Sequence, residues 1–171
     1  MLIIEAYRAE QERLHRLGGY GTASLDYGPV VTNILRATGC RSMLDYGCGL
    51  MQNLRKVVAL PDGVKYQGYD PAIPTFQEKA PADLVVCIDV LEHIEPECID
   101  DVLDDLRALT GQWAYFTVHC GPAKKTLSDG RNAHLIQKPV TWWLDRFIRK
   151  WAPQELETTD CGFNIVMRSI C

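Results

Sequence analysis

The chain has 171 residues, the size of one domain, and 47% of them are hydrophobic, enough to fill one core. Its formal charge of −4 offers no general attraction to long nucleic acid or to a membrane surface, and no apolar run approaches the ~20 residues of a membrane span. The seven cysteines are odd in number and form no C-x-x-C pair, which argues against a disulfide frame or a zinc site and for a reducing, cytoplasmic setting.

Residues 3 to 17 read as a helix with a partial apolar face of Ile3, Ile4, Tyr7, Leu14 and Leu17. The start, Met1 to Arg8, lacks a signal-peptide layout. Gly18-Gly19-Tyr20-Gly21 stops the helix, and a second one, 29–37, begins at Pro29 and ends near Gly39. A short buried strand is expected at 42–46, then a glycine turn, Gly47-Cys48-Gly49, and a helix over 50–59 carrying Leu50, Leu54, Val57 and Val58. Lys65-Tyr66-Gln67-Gly68-Tyr69 reads as a second strand ending in Asp70-Pro71. The nearly all-apolar run 83–88 reads as a central parallel strand ending in Asp89-Val90-Leu91-Glu92-His93 at a helix start.

Further on, helix 96–109 carries a solvated acidic face of Glu97, Asp100, Asp101, Asp104 and Asp105. Strand 113–119, a long loop over 120–138, helix 140–150 with Trp142-Trp143, and two strands at about 155–160 and 163–170 complete the chain.

The strings Asp45-x-Gly47-x-Gly49, Tyr69-Asp70-Pro71 and Asp89-Val90-Leu91-Glu92-His93 stand in the order of the motifs of class I S-adenosylmethionine-dependent methyltransferases, and the chain resembles that family over about residues 40 to 120. The third glycine of a dinucleotide fingerprint is replaced by Gln52. The resemblance implies a doubly wound, mostly parallel α/β sheet closed by an antiparallel hairpin, in one domain of residues 1–171, with 1–39 as a helical lid and 40–171 as the core. It implies cofactor contacts at Asp45, Gly47, Cys48, Gly49, Asp70, Pro71, Asp89, Val90 and Leu91, with Asp70 on the ribose diol. Tyr20 either closes over the methionine end or is a plain exposed turn residue. Residues 71–82 are too few for a helix, a strand and a return. The third strand of the family is therefore expected to be missing, leaving Ile73 or Phe76 to cover the adenine.

Methyl transfer needs donor and acceptor aligned, and often a proton removed. Three chemistries fit the residues. Asp89, Glu92 and His93 at i, i+3 and i+4 share a face if helical, and with His134 they resemble the divalent-metal site of small-RNA 2′-O-methyltransferases; the plain alternative is a capping acid, a dipole-favouring acid and a packed histidine. His134 or His119 could act as a base without metal. Cys120 could act as a nucleophile if its thiol pKa were lowered. Lys124, Lys125, Arg131, His134 and Lys138 make the long loop locally basic, suited to an anionic or nucleotide-like acceptor or else a solvated patch. The expected activity is methyl transfer to a small or nucleotide-like acceptor, with a hydroxyl oxygen and divalent metal assistance as one option beside the plain reading of Asp89, Glu92 and His93. Its rival is a cofactor-binding, catalytically degenerate subunit that regulates a partner through exposed apolar surface at Trp142-Trp143.

Overall fold

The layout of the sheet follows from how little chain separates two of its strands. The fold is that of a computed structural model, which describes residues 1–18 and 21–170. Helix α1 spans Glu5–Leu17 and α2 spans Gly28–Thr38, after a 3-10 turn at Ala23–Tyr27. Then come β1 (Ser42–Tyr46), α3 (Asn53–Val57), β2 (Lys65–Tyr69), β3 (Ala82–Ile88), α4 (Ile99–Leu109), β4 (Thr110–His119), α5 (Val140–Phe147), β5 (Trp151–Thr158) and β6 (Gly162–Ser169). Strands β2, β1, β3 and β4 are parallel, β6 runs antiparallel to β4, and β5 to β6. This is the doubly wound sheet with a terminal hairpin expected from the sequence. No described helix is long and apolar enough to cross a membrane.

Strand alternation feeds two cores. Met43, Leu84, Val86 and Tyr115 face α2 and α3, packing on Val31, Leu35 and Leu54. Leu44, Val85, Phe116 and Phe163 face α4 and α5, packing on Leu103, Trp143 and Phe147. Being covered on both sides, β3 reads as an unbroken apolar run. The first helix does not lie on the sheet. Tyr7 and Leu14 of α1 pack against Leu127 and Ala133 of the 120–138 loop, and Glu10 accepts the Ser128 N–H at 2.9 Å.

The segment between β2 and β3 holds one 3-10 turn, Pro74–Phe76, and no strand. Strand β2 is therefore an edge, as the short proline-rich segment predicts. Its exposed backbone is partly covered: the Gln67 carboxamide donates to the Glu78 carbonyl at 3.1 Å and accepts the Ala80 N–H at 3.0 Å. Lys79 then pairs with Asp105 of α4 and sits 4.3 Å over the Tyr69 ring. Tyr46 donates to the same carboxylate at 2.8 Å. Asp105 is thus a packed, paired acid and not part of a solvated face.

Several expected boundaries move for identifiable reasons. The helix expected over 50–59 is only Asn53–Val57, because Gln52 takes a left-handed conformation (φ 44°) and Val58 is extended ahead of Pro61. Glu92 and His93 do not open a long helix. A 3-10 turn, Leu91–His93, ends with Ile94 extended, before Pro96, and α4 starts only at Ile99. Strand β5 starts at Trp151, ahead of the expected 155, because Trp151 is buried against Phe116 with ring centroids 5.1 Å apart. Pro153 is tolerated there because β5 is an edge strand with an irregularity at that point. Trp143 is wholly buried, and Trp142 lies under the Arg146 guanidinium 3.6 Å from the ring centre. The exposed tryptophan surface expected of a regulatory subunit is not formed.

Candidate active site

The carboxyl ends of β1, β2 and β3 meet under α1, where ligands of open α/β sheets bind. Gly47 and Cys48 donate their N–H groups to the Tyr69 carbonyl at 2.7 and 3.0 Å, turning the chain back across β2. Gly47 (φ 83°) and Gly49 (φ 63°) occupy the left-handed region that favours glycine. A side chain at Gly47 would also run into Val90.

Asp70 closes this turn. One of its oxygens accepts the Gly49 N–H at 3.0 Å and the other the Ala72 N–H at 2.9 Å. Each oxygen keeps a second lone pair for a hydroxyl. His15 of α1 places Nε2 3.8 Å from the Asp70 carboxylate. Burial pushes the Asp70 carboxyl up and the His15 imidazole down from their ordinary pKa values.

Asp45 is set differently. It is buried, accepts the Tyr66 hydroxyl at 2.7 Å, and is not among the residues lining the cleft. Burial raises its pKa to about 7, against the lowering effect of the Tyr66 bond.

Asp89 stands at φ 50°, a strained conformation for a non-glycine residue and a frequent mark of functional sites. Thr117 of β4 holds it: its hydroxyl donates to the Asp89 carboxylate at 2.5 Å, and the Asp89 N–H points back to the Thr117 hydroxyl at 2.9 Å. Asp89 is not a helix cap.

Three residues later the chain presents a cluster. One ligand atom from each of Glu92, His93 and His134 lies within 4.8 Å of the others. His93 and His134 rings meet edge-on at 4.7 Å, and the His119 ring lies tilted by 57° with its centre 4.8 Å from that of His134. The long loop reaches this point because Ile136 donates to the Glu92 carbonyl at 3.0 Å. Asn132 organises the loop, accepting the N–H groups of Ala123 and His134 at 2.9 Å each and donating to the Ala123 carbonyl at 2.8 Å. His93 and His134 each set Nδ1 against a backbone carbonyl, Ala133 at 2.8 Å and Gly121 at 2.7 Å. Carbonyls accept only, so both rings carry the proton on Nδ1 and present Nε2 as the metal-binding nitrogen.

Glu92 is fully buried. One carboxyl oxygen accepts the His119 N–H at 3.0 Å, and the other has no hydrogen-bond partner among the described residues. Burial, then Asp89, raises its pKa to about 8. Burial, then His134, lowers His93 to about 4. Two neutral imidazoles and an orphaned carboxyl oxygen fit a divalent cation. Asp89, expected in the same set, is held by Thr117 instead and is not in the cluster.

A cleft open to solvent runs beside this cluster. Gly47, Asp70, Pro71, Ala72, Ile88, Asp89, Val90 and His93 line its floor, and Tyr7 and Gln11 of α1 its roof. Of the expected cofactor contacts, Gly47, Asp70, Pro71, Asp89 and Val90 are thus brought together. Cys48, Gly49 and Leu91 stand behind the lining, and Tyr20 lies outside the described residues. Ala72 lines the cleft, whereas Ile73 is packed in the interior and Phe76 offers its carbonyl to the Asp70 N–H at 2.8 Å. Cys120 is a poor nucleophile, because burial and Glu92 raise its thiol pKa.

The same fold occurs in solved structures of methyltransferases. An O-methyltransferase family protein from Burkholderia thailandensis superposes with a TM-score of 0.61 at 12% identity over 98% of this chain, which spans 63% of that protein's length. The chain has the class I methyltransferase fold. The methyltransferase domain of bacterial CtHen1-C, wholly covered, superposes at 0.61 with 14% identity over 86% of this chain. Magnesium protoporphyrin IX methyltransferase from Synechocystis PCC 6803, solved with bound SAM, gives 0.51 at 15% identity, covering 86% of this chain and 80% of that one. No family model and no curated protein matches the sequence. Within this methyltransferase fold the described sheet has six strands, β2 standing at the edge.

The sequence reading missed Tyr66, Thr117, Asn132 and the Tyr7–Gln11 roof. Tyr66 and Thr117 lie far in sequence from the groups they hold, whereas Asn132 acts on its own loop, from Ala123 to His134. The roof was legible only as a 7-11-15 spacing on α1, masked by the apolar residues around it.

Proposed function

We propose that the protein binds S-adenosylmethionine in the cleft and transfers its methyl group to a hydroxyl of a small or nucleotide-like acceptor, assisted by a divalent cation held by Glu92, His93 and His134. The convergence of these three side chains beside a cleft rimmed by Gly47, Asp70 and Asp89 carries this reading. The names of the three solved structures sharing the fold, all methyltransferases, agree with it.

The cleft fits the cofactor by its chemistry. Ala72, Ile88 and Val90 offer apolar walls for a base, and Asp70 has acceptor sites for ribose hydroxyls. The bound sulfonium supplies the methyl group, and a bound cation lowers the pKa of an acceptor hydroxyl. His134 would help hold the cation, and Asn132 and the Gly121 carbonyl hold His134. His119, its ring centre 4.8 Å from that of His134, would take the acceptor's proton. The exposed lysines Lys124, Lys125 and Lys138 give the loop a rim suited to an anionic acceptor. The six described cysteines are all free thiols, which supports a cytoplasmic setting.

Titration calorimetry with S-adenosylhomocysteine and with Mn²⁺, followed by transfer of labelled methyl groups to a panel of nucleosides and small alcohols, tests the reading. Cofactor binding with cation-dependent transfer is the expected result. Cofactor binding with no transfer to any acceptor favours the regulatory subunit, and no cofactor binding removes both.

A further inference from the structure

We infer that Gln11 contacts the cofactor, donating a hydrogen bond from Nε2 to an oxygen of the molecule in the cleft. The inference rests on the cofactor reading above. Residues 7, 11 and 15 follow one another at one-turn spacing along α1 and share a face. The outer two are set against the floor of the site. The Tyr7 hydroxyl donates to the His93 carbonyl at 2.6 Å, beside the cation cluster. His15 stands 3.8 Å from the Asp70 carboxylate, at the ribose end. Gln11 is suspended between them, lines the cleft and is 8% exposed. Its Nε2 is buried and has no hydrogen-bond partner among the described residues.

A buried amide N–H without an acceptor costs free energy. Gln11 is one turn from Tyr7 and adjoins the apolar cluster of Tyr7, Leu14, Leu127 and Ala133, so leucine, of similar size, would serve packing better. The unpaired donor is explained if its acceptor arrives with the ligand. A neutral carboxamide donor suits an oxygen acceptor, and the cofactor offers two kinds along the cleft: the ribose oxygens and the amino-acid carboxylate.

The test compares wild type with Gln11→Leu and Gln11→Met. Thermal unfolding without ligand is measured first, then calorimetric titration with S-adenosylhomocysteine and with 5′-methylthioadenosine, which lacks the amino-acid carboxylate. Both variants should unfold at the same or a higher temperature than wild type and bind S-adenosylhomocysteine about tenfold more weakly. A penalty that persists with methylthioadenosine assigns the acceptor to the ribose; one confined to S-adenosylhomocysteine assigns it to the carboxylate. Equal binding by wild type and variants overturns the inference while leaving the cofactor reading intact. Weaker binding in proportion to lost thermal stability overturns it too, by making Gln11 a packing residue. No binding by wild type overturns both.

Discussion

Tyr66 donates its hydroxyl hydrogen to the buried Asp45 at 2.7 Å, across neighbouring parallel strands. The bond softens but does not cancel the effect of burial, which leaves Asp45 with a pKa of about 7. A carboxyl whose folded pKa is raised binds its proton more tightly in the folded than in the unfolded state. Its contribution is full below the unfolded pKa, near 4, and is lost as pH rises through about 7. The contribution of Asp45 should therefore fall from pH 4 to 7, at no more than about 1.4 kcal/mol per pH unit, against an opposite slope from His93, whose pKa burial lowers to about 4. Glu92 adds a slope of the same sign as Asp45 up to about pH 8. Urea unfolding across this range should show a shallower fall for Asp45→Asn. An unchanged slope in that variant would place Asp45 in contact with solvent.

The proposed cation site carries a pH dependence of its own. Glu92 must lose its proton to bind a metal, so affinity should rise about tenfold per pH unit below 8 and level off above it. Burial holds His93 near pKa 4, so it does not compete with protons above pH 5. His134→Ala should weaken Mn²⁺ binding by at least about a hundredfold while leaving affinity for S-adenosylhomocysteine unchanged. Manganese titrations followed by electron paramagnetic resonance at pH 6, 7 and 8 check both statements.

Asn132 touches no ligand atom of the cluster but accepts the N–H of His134 at 2.9 Å. Asn132→Ala should lower cation affinity by about ten- to a hundredfold, the usual effect of losing a group that orients a ligand. Asn132→Asp keeps the accepting oxygen but sets its other oxygen against the Ala123 carbonyl, so it should recover only part of the loss. Equal affinity in all three proteins would show that the loop holds its shape without this side chain.

Gly47→Ala should destabilise the protein for two separable reasons: positive φ costs a side-chain-bearing residue about 1–2 kcal/mol, and the new Cβ meets Val90. In a double-mutant cycle, Val90→Ala should relieve only the second part. Full recovery would mean that the turn can change its backbone conformation.

What could be read in the sequence tracks how local the cause is. The glycine turn, the β2 acid and the apolar β3 announce themselves within a few residues each, and counting residues 71–82 was enough to remove a strand. The approach of His134 to Glu92 and His93 followed from chain order after β4 and from the resemblance. The rest hangs on partners far along the chain. Asp89 is withdrawn from the cluster by Thr117, 28 residues away, and Asp105 is drawn in by Tyr46 and Lys79. The helix assumed after Asp89 was a matter of period alone, and Pro96 decided against it.

α1 and the 123–135 stretch of the loop share a small apolar cluster of their own, tied to the rest of the fold by the Tyr7 bond to His93 and by Ile136, which sits in a main core. Glu10 reaches Ser128 across 118 positions of chain, and Leu14 and Leu127 share one small apolar cluster. Such a unit can open while the sheet stays folded. In hydrogen exchange, α1 and the loop should therefore lose protection together and ahead of β1, β3 and β4. Since His134 belongs to this unit, cation binding would slow that opening, and chelation would release the roof of the cleft along with the ion.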